Sequence, residues 1–160
     1  YIICYAFLKG GLIMKLEDID VEYAIYGMLF SLSNRIQTIG DKEFGDITLK
    51  QHFVLIGLSM FEKSPTLKEM GELIGCSYQN VKRMATQLES KGYINIVQDK
   101  EDKRKLLLVP TEKVKRVGDE KQEATINFMT NLFREISEDE LEVTLSTLKK
   151  MDRNIGGIIE

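Results

Sequence analysis

Apolar positions recur at helical spacing over most of this chain, and the rhythm changes only where two short β-prone runs intervene. Val21, Ile25, Met28/Leu29, Leu32, Ile36 and Ile39 repeat every three or four residues and predict one long helix over roughly Leu16–Ile39, stopped by Gly40. A polar, glycine-containing loop comes next, over Asp41–Asp46. Thr48 and Gln51 have the spacing of a capping box, in which each side chain satisfies the other's orphan amide. The helix it opens carries Phe53, Ile56 and Met60 and is expected to run to about Lys63. Pro65 then stops it, because the residue before a proline is pushed out of helical conformation.

Between Thr66 and Val109 the elements become short and closely punctuated. Thr66 with Glu69 makes a second capping box, Leu67, Met70 and Leu73/Ile74 form the inner face, and Gly75 closes the helix. Only Cys76 separates that glycine from Ser77, a good N-cap. Val81, Met84, Ala85 and Leu88 then make one apolar stripe, so Tyr78, Gln79, Lys82, Arg83 and Thr86 share an outer face rich in amide, hydroxyl and cationic groups. Lys91 suits the negative end of the helix dipole, and Gly92 can take the left-handed stop. Two short helices with so tight a joint predict a helix-turn-helix. Next come Y-I-N-I-V, the charged Q-D-K-E-D-K-R-K and L-L-L-V-P, the pattern of a hairpin with an exposed loop. Helix, turn, helix and hairpin make a winged helix-turn-helix.

Beyond Pro110, Thr111 can cap a helix carrying Val114, Val117, Ala124, Phe128 and Leu132 to about Ile136. Ser137 with Glu140 gives another capping box, and Leu141, Leu145, Leu148, Met151/Asp152 and Ile155 approach a heptad before Gly156–Gly157 break it. The long helices before and after the winged module carry apolar faces that so small a module cannot cover. Either an intramolecular bundle or a second subunit must cover them.

From Leu67 to Thr111 the chain resembles the DNA-binding core of the MarR family of bacterial transcription regulators. The likeness rests on L-x-x-M-G-x-L-I-G, on the Ser77-capped helix ending L-E-S-K-G-Y-I, and on the loop D-K-E-D-K-R-K-L-L-L-V-P-T. The loop is the most specific part, since the family pattern sets an Asp two residues before an Arg, and Asp102 and Arg104 fill those places. Lys100 stands where the family often has Pro, a departure expected to alter loop stiffness only. The motif covers under a third of the chain, and the flanking helices extend the resemblance from about Leu16 to about Ile155.

The resemblance implies a mainly α fold with a small β-hairpin wing, in which long N- and C-terminal helices interleave with those of a second subunit. On that basis 14–47 is a dimerisation helix and loop, 48–110 the winged module and 111–160 the C-terminal dimerisation helices, with 1–13 an extension ahead of a start at Met14. The implied activity is that of a homodimeric, sequence-specific regulator, a repressor whose affinity for duplex DNA is modulated by a small molecule. Ser77, Tyr78, Gln79, Asn80, Lys82, Arg83 and Thr86 would meet bases and backbone in the major groove, where Arg pairs with guanine and Gln or Asn with adenine. Arg104, oriented by Asp102, would enter the minor groove while Lys100, Lys103 and Lys105 contact phosphates. Two modules imply a pseudo-palindromic operator with half-sites ~10 base pairs apart. Tyr23, Tyr26, His52 and Phe53 are candidates for contacting a small aromatic or phenolic effector, and core aromatics is the competing reading.

Composition narrows the alternatives. The chain has 160 residues, 43% of them apolar and 29% charged, with a net charge of −3, values ordinary for a soluble domain. Ser77–Lys105 holds seven Lys/Arg against four Asp/Glu, so this segment is +3 and the remainder −6. A cationic face on an acidic body suits duplex binding. No apolar run is long enough to span a bilayer, and a cytoplasmic location is expected. His52 is the only histidine, no Cys/His cluster has zinc spacing, and no phosphate loop or nucleophile elbow occurs, so neither an enzyme nor a metal or cofactor is expected. The acidic pairs Glu17/Asp18 and Asp139/Glu140 suit the first turns of helices. Cys4 and Cys76 are no disulfide framework. Cys76 precedes a helix N-terminus, where the dipole can lower a thiol pKa, so a redox-sensing regulator is one alternative to a small buried cysteine. A winged-helix module for contact with an acidic protein is the other alternative function.

Overall fold

The computed structural model describes residues 19–43 and 45–157. The expected extension over 1–13, Cys4, the start at Met14, the first turn at Leu16 and the Glu17/Asp18 pair lie outside the described residues. Among the described residues the elements follow in the order α1 (Val21–Glu43), α2 (Leu49–Leu58), α3 (Leu67–Ile74), α4 (Tyr78–Ser90), β1 (Ile94–Gln98), β2 (Leu106–Pro110), α5 (Glu112–Leu132) and α6 (Glu138–Asn154). The chain divides into two compact units at Ile39/Gly40, within α1.

In the first unit, Val21, Tyr23, Ile25, Tyr26, Met28, Phe30, Leu32 and Ile39 of α1 are all exposed, and the Tyr26 and Phe30 rings meet edge to face at 5.0 Å. Gly40 does not stop the helix, which continues to Glu43. This glycine permits close packing: a Cβ here would lie 2.8 Å from the Leu49 side chain. Asp41, expected in a loop, is therefore helical, and its carboxylate accepts the Leu49 N–H at 2.6 Å.

The second unit is built around one core of Ile47, Val54, Leu55, Leu58, Leu67, Met70, Val81, Met84, Ala85, Leu88, Tyr93, Ile94 and Leu108. The Thr48–Gln51 capping box forms as expected, but α2 ends at Leu58, short of Lys63. The apolar positions that marked this helix in the sequence, Phe53 (49%), Ile56 (43%) and Met60 (66%), are exposed, while Val54, Leu55 and Leu58 are buried. L-K-Q-H-F-V-L-I-G-L is apolar on two sides, so period alone does not choose the inward one. The choice falls to the set that joins the core, and Gln51, buried with it, donates from Nε2 to Gln87 Oε1 at 2.7 Å.

The helix-turn-helix has the expected joints. Both halves of the Thr66–Glu69 box are present, and Gly75 is left-handed at φ +64°. The turn folds back so closely that Cys76 N–H donates to Gly71 O at 2.9 Å, and a Cβ on Gly71 would lie 2.7 Å from the Cys76 carbonyl. Val81, Met84, Ala85 and Leu88 are buried, as the stripe predicts. β1 and β2 pair antiparallel with Ile94 opposite Pro110 and Gln98 opposite Leu106. The outer edge of β2 is also engaged: Leu108 N–H donates to Pro65 O at 2.9 Å, and Thr66 bridges to Leu107.

Thr111 caps α5, which ends at Leu132, four residues earlier than expected. Glu135 takes a left-handed φ of +64° in the connection, and the Ser137–Glu140 box then opens α6. No residue of α6 is buried, and Val143, Leu145 and Ile155 are well exposed. Among the described residues no helix is long and apolar enough to cross a membrane.

Candidate nucleic-acid interface

The outer face of α4 is set by its inner one. Ser77 Oγ accepts the Asn80 N–H at 3.4 Å, which starts the helix and fixes its phase. With the apolar stripe inward, Ser77, Tyr78, Gln79, Asn80, Lys82, Arg83 and Thr86 are all exposed, so the seven residues expected of a recognition helix run from its N-cap to its third turn. At the other end, Glu89 reaches out to the hairpin and its carboxylate accepts the Ile96 N–H at 2.7 Å.

The loop between the strands is held by its own carboxylates. Asp99 Oδ1 accepts the N–H groups of Glu101 and Asp102, both at 2.8 Å, an Asx-type turn that starts the reversal. Lys105 N–H donates to Asp102 O at 2.8 Å and Asp99 N–H to Lys105 O at 3.0 Å, closing the loop. Asp102 Oδ1 then accepts both the backbone N–H and the Nε–H of Arg104, each at 3.1 Å. The Arg104 guanidinium, with its own backbone N–H second, holds the Asp102 carboxyl below the usual carboxylate range. Backbone N–H groups of Asp102 and Glu101 do the same for Asp99. The Arg104 side chain is 92% exposed, so it is fixed at its root while its charge faces solvent. Lys100, Lys103 and Lys105 sit around it on the same loop.

Asp99 and Glu89 support this surface without having been singled out by sequence pattern. Asp99 has a local signal, an aspartate opening a polar loop whose next amides lack partners. Glu89 pairs with a strand amide across a turn, which no periodicity reveals.

The four effector candidates fall in different units. Tyr23 and Tyr26 are exposed on α1 in the first unit, whereas His52, half-buried, and Phe53, exposed, sit on α2 in the second. A cavity of about 420 Å³ lies elsewhere, lined by Lys68, Glu72, Cys76 and Tyr78 of the helix-turn-helix and by Asp152 and Ile155 at the end of α6. Cys76 there is a half-buried free thiol, and Asp152 Oδ2 is buried with no hydrogen-bond partner among the described residues. Among the described residues no group of three His, Cys, Asp or Glu could hold a metal ion.

Residues 47–106 match the MarR family, a span running from the loop before α2 to the start of β2. No curated protein matches the chain. Solved structures do. A MarR protein from Peptoclostridium difficile is 23% identical with a TM-score of 0.77, covering 91% of this chain and 94% of its own. The organohalide-sensing transcriptional regulator RdhR, in its 2,4-dichlorophenol-bound form, is 15% identical at a TM-score of 0.75, covering 91% and 87%. MepR of S. aureus, solved as a DNA complex, is 19% identical at 0.71, covering 85% and 98%. At these identities the likeness is one of fold. Residues 47–106 thus match the MarR family, and the chain shares the winged-helix fold of these structures.

Proposed function

We propose that this MarR-type chain is a homodimeric, sequence-specific DNA-binding transcription regulator, a repressor whose DNA affinity a small aromatic or phenolic effector modulates. One observation carries the reading. Arg104 is held at its base by Asp102 while its charge points away from the protein, an arrangement that suits insertion into the minor groove. On the proposed surface, Gln79, Asn80 and Arg83 read base edges from the major groove, Tyr78, Lys82 and Thr86 contact bases or backbone, and the Ser77 N-terminus approaches a phosphate. Lys100, Lys103 and Lys105 lie along the adjoining backbone and give the binding its salt dependence.

The homodimer is supported by helices with uncovered apolar faces. Tyr23, Tyr26 and Phe30 on α1, Ile126 and Met129 on α5, and Leu145 and Leu148 on α6 are exposed in the single chain. Rows of large apolar side chains on this scale mark an interaction surface, and a two-fold pair is the commonest way for a soluble chain to cover one. The effector class is supported by the dichlorophenol bound to RdhR and by exposed Tyr23, Tyr26 and Phe53 rings, which suit aromatic stacking.

Fluorescence anisotropy with duplexes tiled upstream of the protein's own gene, at two salt concentrations, tests the reading. Saturable binding to one palindromic tile with a steep salt slope is the expected result. No binding to any duplex at low salt would sink it and turn attention to an acidic protein partner.

A further inference from the structure

We propose that Lys113, in the first turn of α5, is a positioning residue that locks the end of the recognition helix to α5 and so sets the separation at which the two half-sites of an operator are read. The inference rests on the duplex-binding reading above for one of its two readouts. Three residues, Lys91, Gly92 and Tyr93, leave α4 through a turn in which Gly92 is left-handed at φ +75°. Left alone, such a turn is where the angle between a helix and the next element would be softest. Here it is gripped from two sides.

From the α5 side, the Lys113 ammonium donates to Lys91 O at 2.8 Å and stands 4.1 Å from the centre of the Tyr93 ring. The first contact places a cation on the C-cap carbonyl of α4, at the negative end of its dipole, and the second uses the face of a buried ring. Thr111, the N-cap of α5, adds Oγ1–H donation shared between Gly92 O at 2.8 Å and Tyr93 O at 3.0 Å, and its N–H also reaches Tyr93 O at 3.0 Å. From the α2 side, Tyr93, 1% exposed, donates its hydroxyl to Asp46 Oδ2 at 2.5 Å, and the Lys91 ammonium donates to Asp46 O. Lys113 thus touches both the C-cap carbonyl of the recognition helix and the ring on which the turn is seated. A tilt of α5 pulls on that carbonyl directly, and in a dimer held through its long helices it changes where α4 points. Contact with a DNA phosphate is the alternative use of such a lysine, and its bonds inside the protein argue against that.

The test uses the full chain with Lys113→Met, which keeps the stem and removes the charge, and Lys113→Arg, which keeps both charge and donors. Affinity is measured for the best palindromic tile and for versions with one or two base pairs inserted at the centre, alongside hydrogen exchange of the free proteins. The clamp predicts that Lys113→Met reduces the preference for native spacing at least ~3-fold, keeps the salt slope, and speeds exchange at Gly92, Tyr93 and Val114, with Lys113→Arg restoring all three. Equal weakening at every spacing, with a salt slope lower by about one, would identify a phosphate contact and overturn the proposal. If the unaltered protein binds no duplex, the regulator reading falls. Exchange alone then decides the clamp, with unchanged rates in Lys113→Met rejecting it. Should Lys113→Met fail to fold, Lys113→Gln, which removes the charge from the Tyr93 ring and shortens the reach to Lys91 O, is measured in the same way with the same expected and overturning results.

Discussion

Arg104 and Asp102 show how a weak interaction is useful for geometry when it is poor for stability. An ion pair this exposed gains little from Coulomb attraction against water, so it does little to hold the fold together. Its effect is to remove freedom from a long side chain before any partner arrives. Arg104→Ala should therefore leave the melting temperature unchanged and weaken duplex binding about tenfold at moderate salt. Unchanged affinity would take the wing out of the proposed interface. Arg83→Ala separates reading from anchoring: loss of a base contact should cost roughly 1–3 kcal/mol and relax preference at one operator position, whereas a uniform loss over sequences marks a phosphate contact. Protonation obeys the same residue-level logic. Thr66, through its backbone N–H and then its hydroxyl, holds the Glu69 carboxyl below its usual range, and Ser137, through its hydroxyl and then its backbone N–H, does so for Glu140. Carboxylates lowered by folding contribute stability above their ordinary pKa and lose it as pH falls through the lowered one. Thermal melts should be flat from about pH 7 to about 5 and decline below about 4, with Glu69→Gln and Glu140→Gln making that decline shallower. An equally steep decline in both variants would remove the caps from the explanation.

Elements were legible where their causes are local. Capping boxes at Thr48, Thr66 and Ser137 involve partners three residues apart, so sequence spacing and structure carry the same information. The α4 stripe was legible because polar residues fill the rest of that helix, and this one periodicity located its outer face. On α2 no polar face opposes the apolar one, and Val54, Leu55 and Leu58 were chosen over Phe53, Ile56 and Met60 by partners distant in the chain. Gly40 misled for a similar reason, since its meaning lies in the Leu49 side chain packed on it. The same distance rule divides the candidate surface: Asp102 and Arg104 are two residues apart and legible, whereas Lys113 and Lys91 are 22 apart and were not. At the scale of the helix-turn-helix, Gly71 is the test. Adding a methyl group drives it against the Cys76 carbonyl, which belongs to backbone and cannot swing aside. Gly71→Ala should thus destabilise by about 1–3 kcal/mol in urea unfolding, against the gain that Ala usually brings to a helix interior. A stabilised variant would show that the turn is free to relax.

For the molecule as a whole, the question is what covers α1, α5 and α6. Leu145 is 60% exposed in the single chain, so Leu145→Glu should be tolerated by an isolated subunit and resisted by a dimer. Sedimentation velocity is expected to show the variant shifted to monomer, with binding to a full palindrome falling to that of one half-site. A variant that stays dimeric would place the contact away from that face of α6. The hairpin stem, meanwhile, is stitched along both flanks, by Glu89 to Ile96 on one strand and by Pro65 and Thr66 to Leu108 and Leu107 on the other, leaving only the tip beyond the stitching. On the proposed reading, Arg104 and the outer face of α4 are thereby the two jaws of a caliper with a set opening. When such a tool meets a duplex, the duplex would have to yield. Operators with identical bases under α4 should then be ranked by how readily the neighbouring minor groove narrows to meet the second jaw, making the stiffness of uncontacted DNA part of the protein's sequence preference.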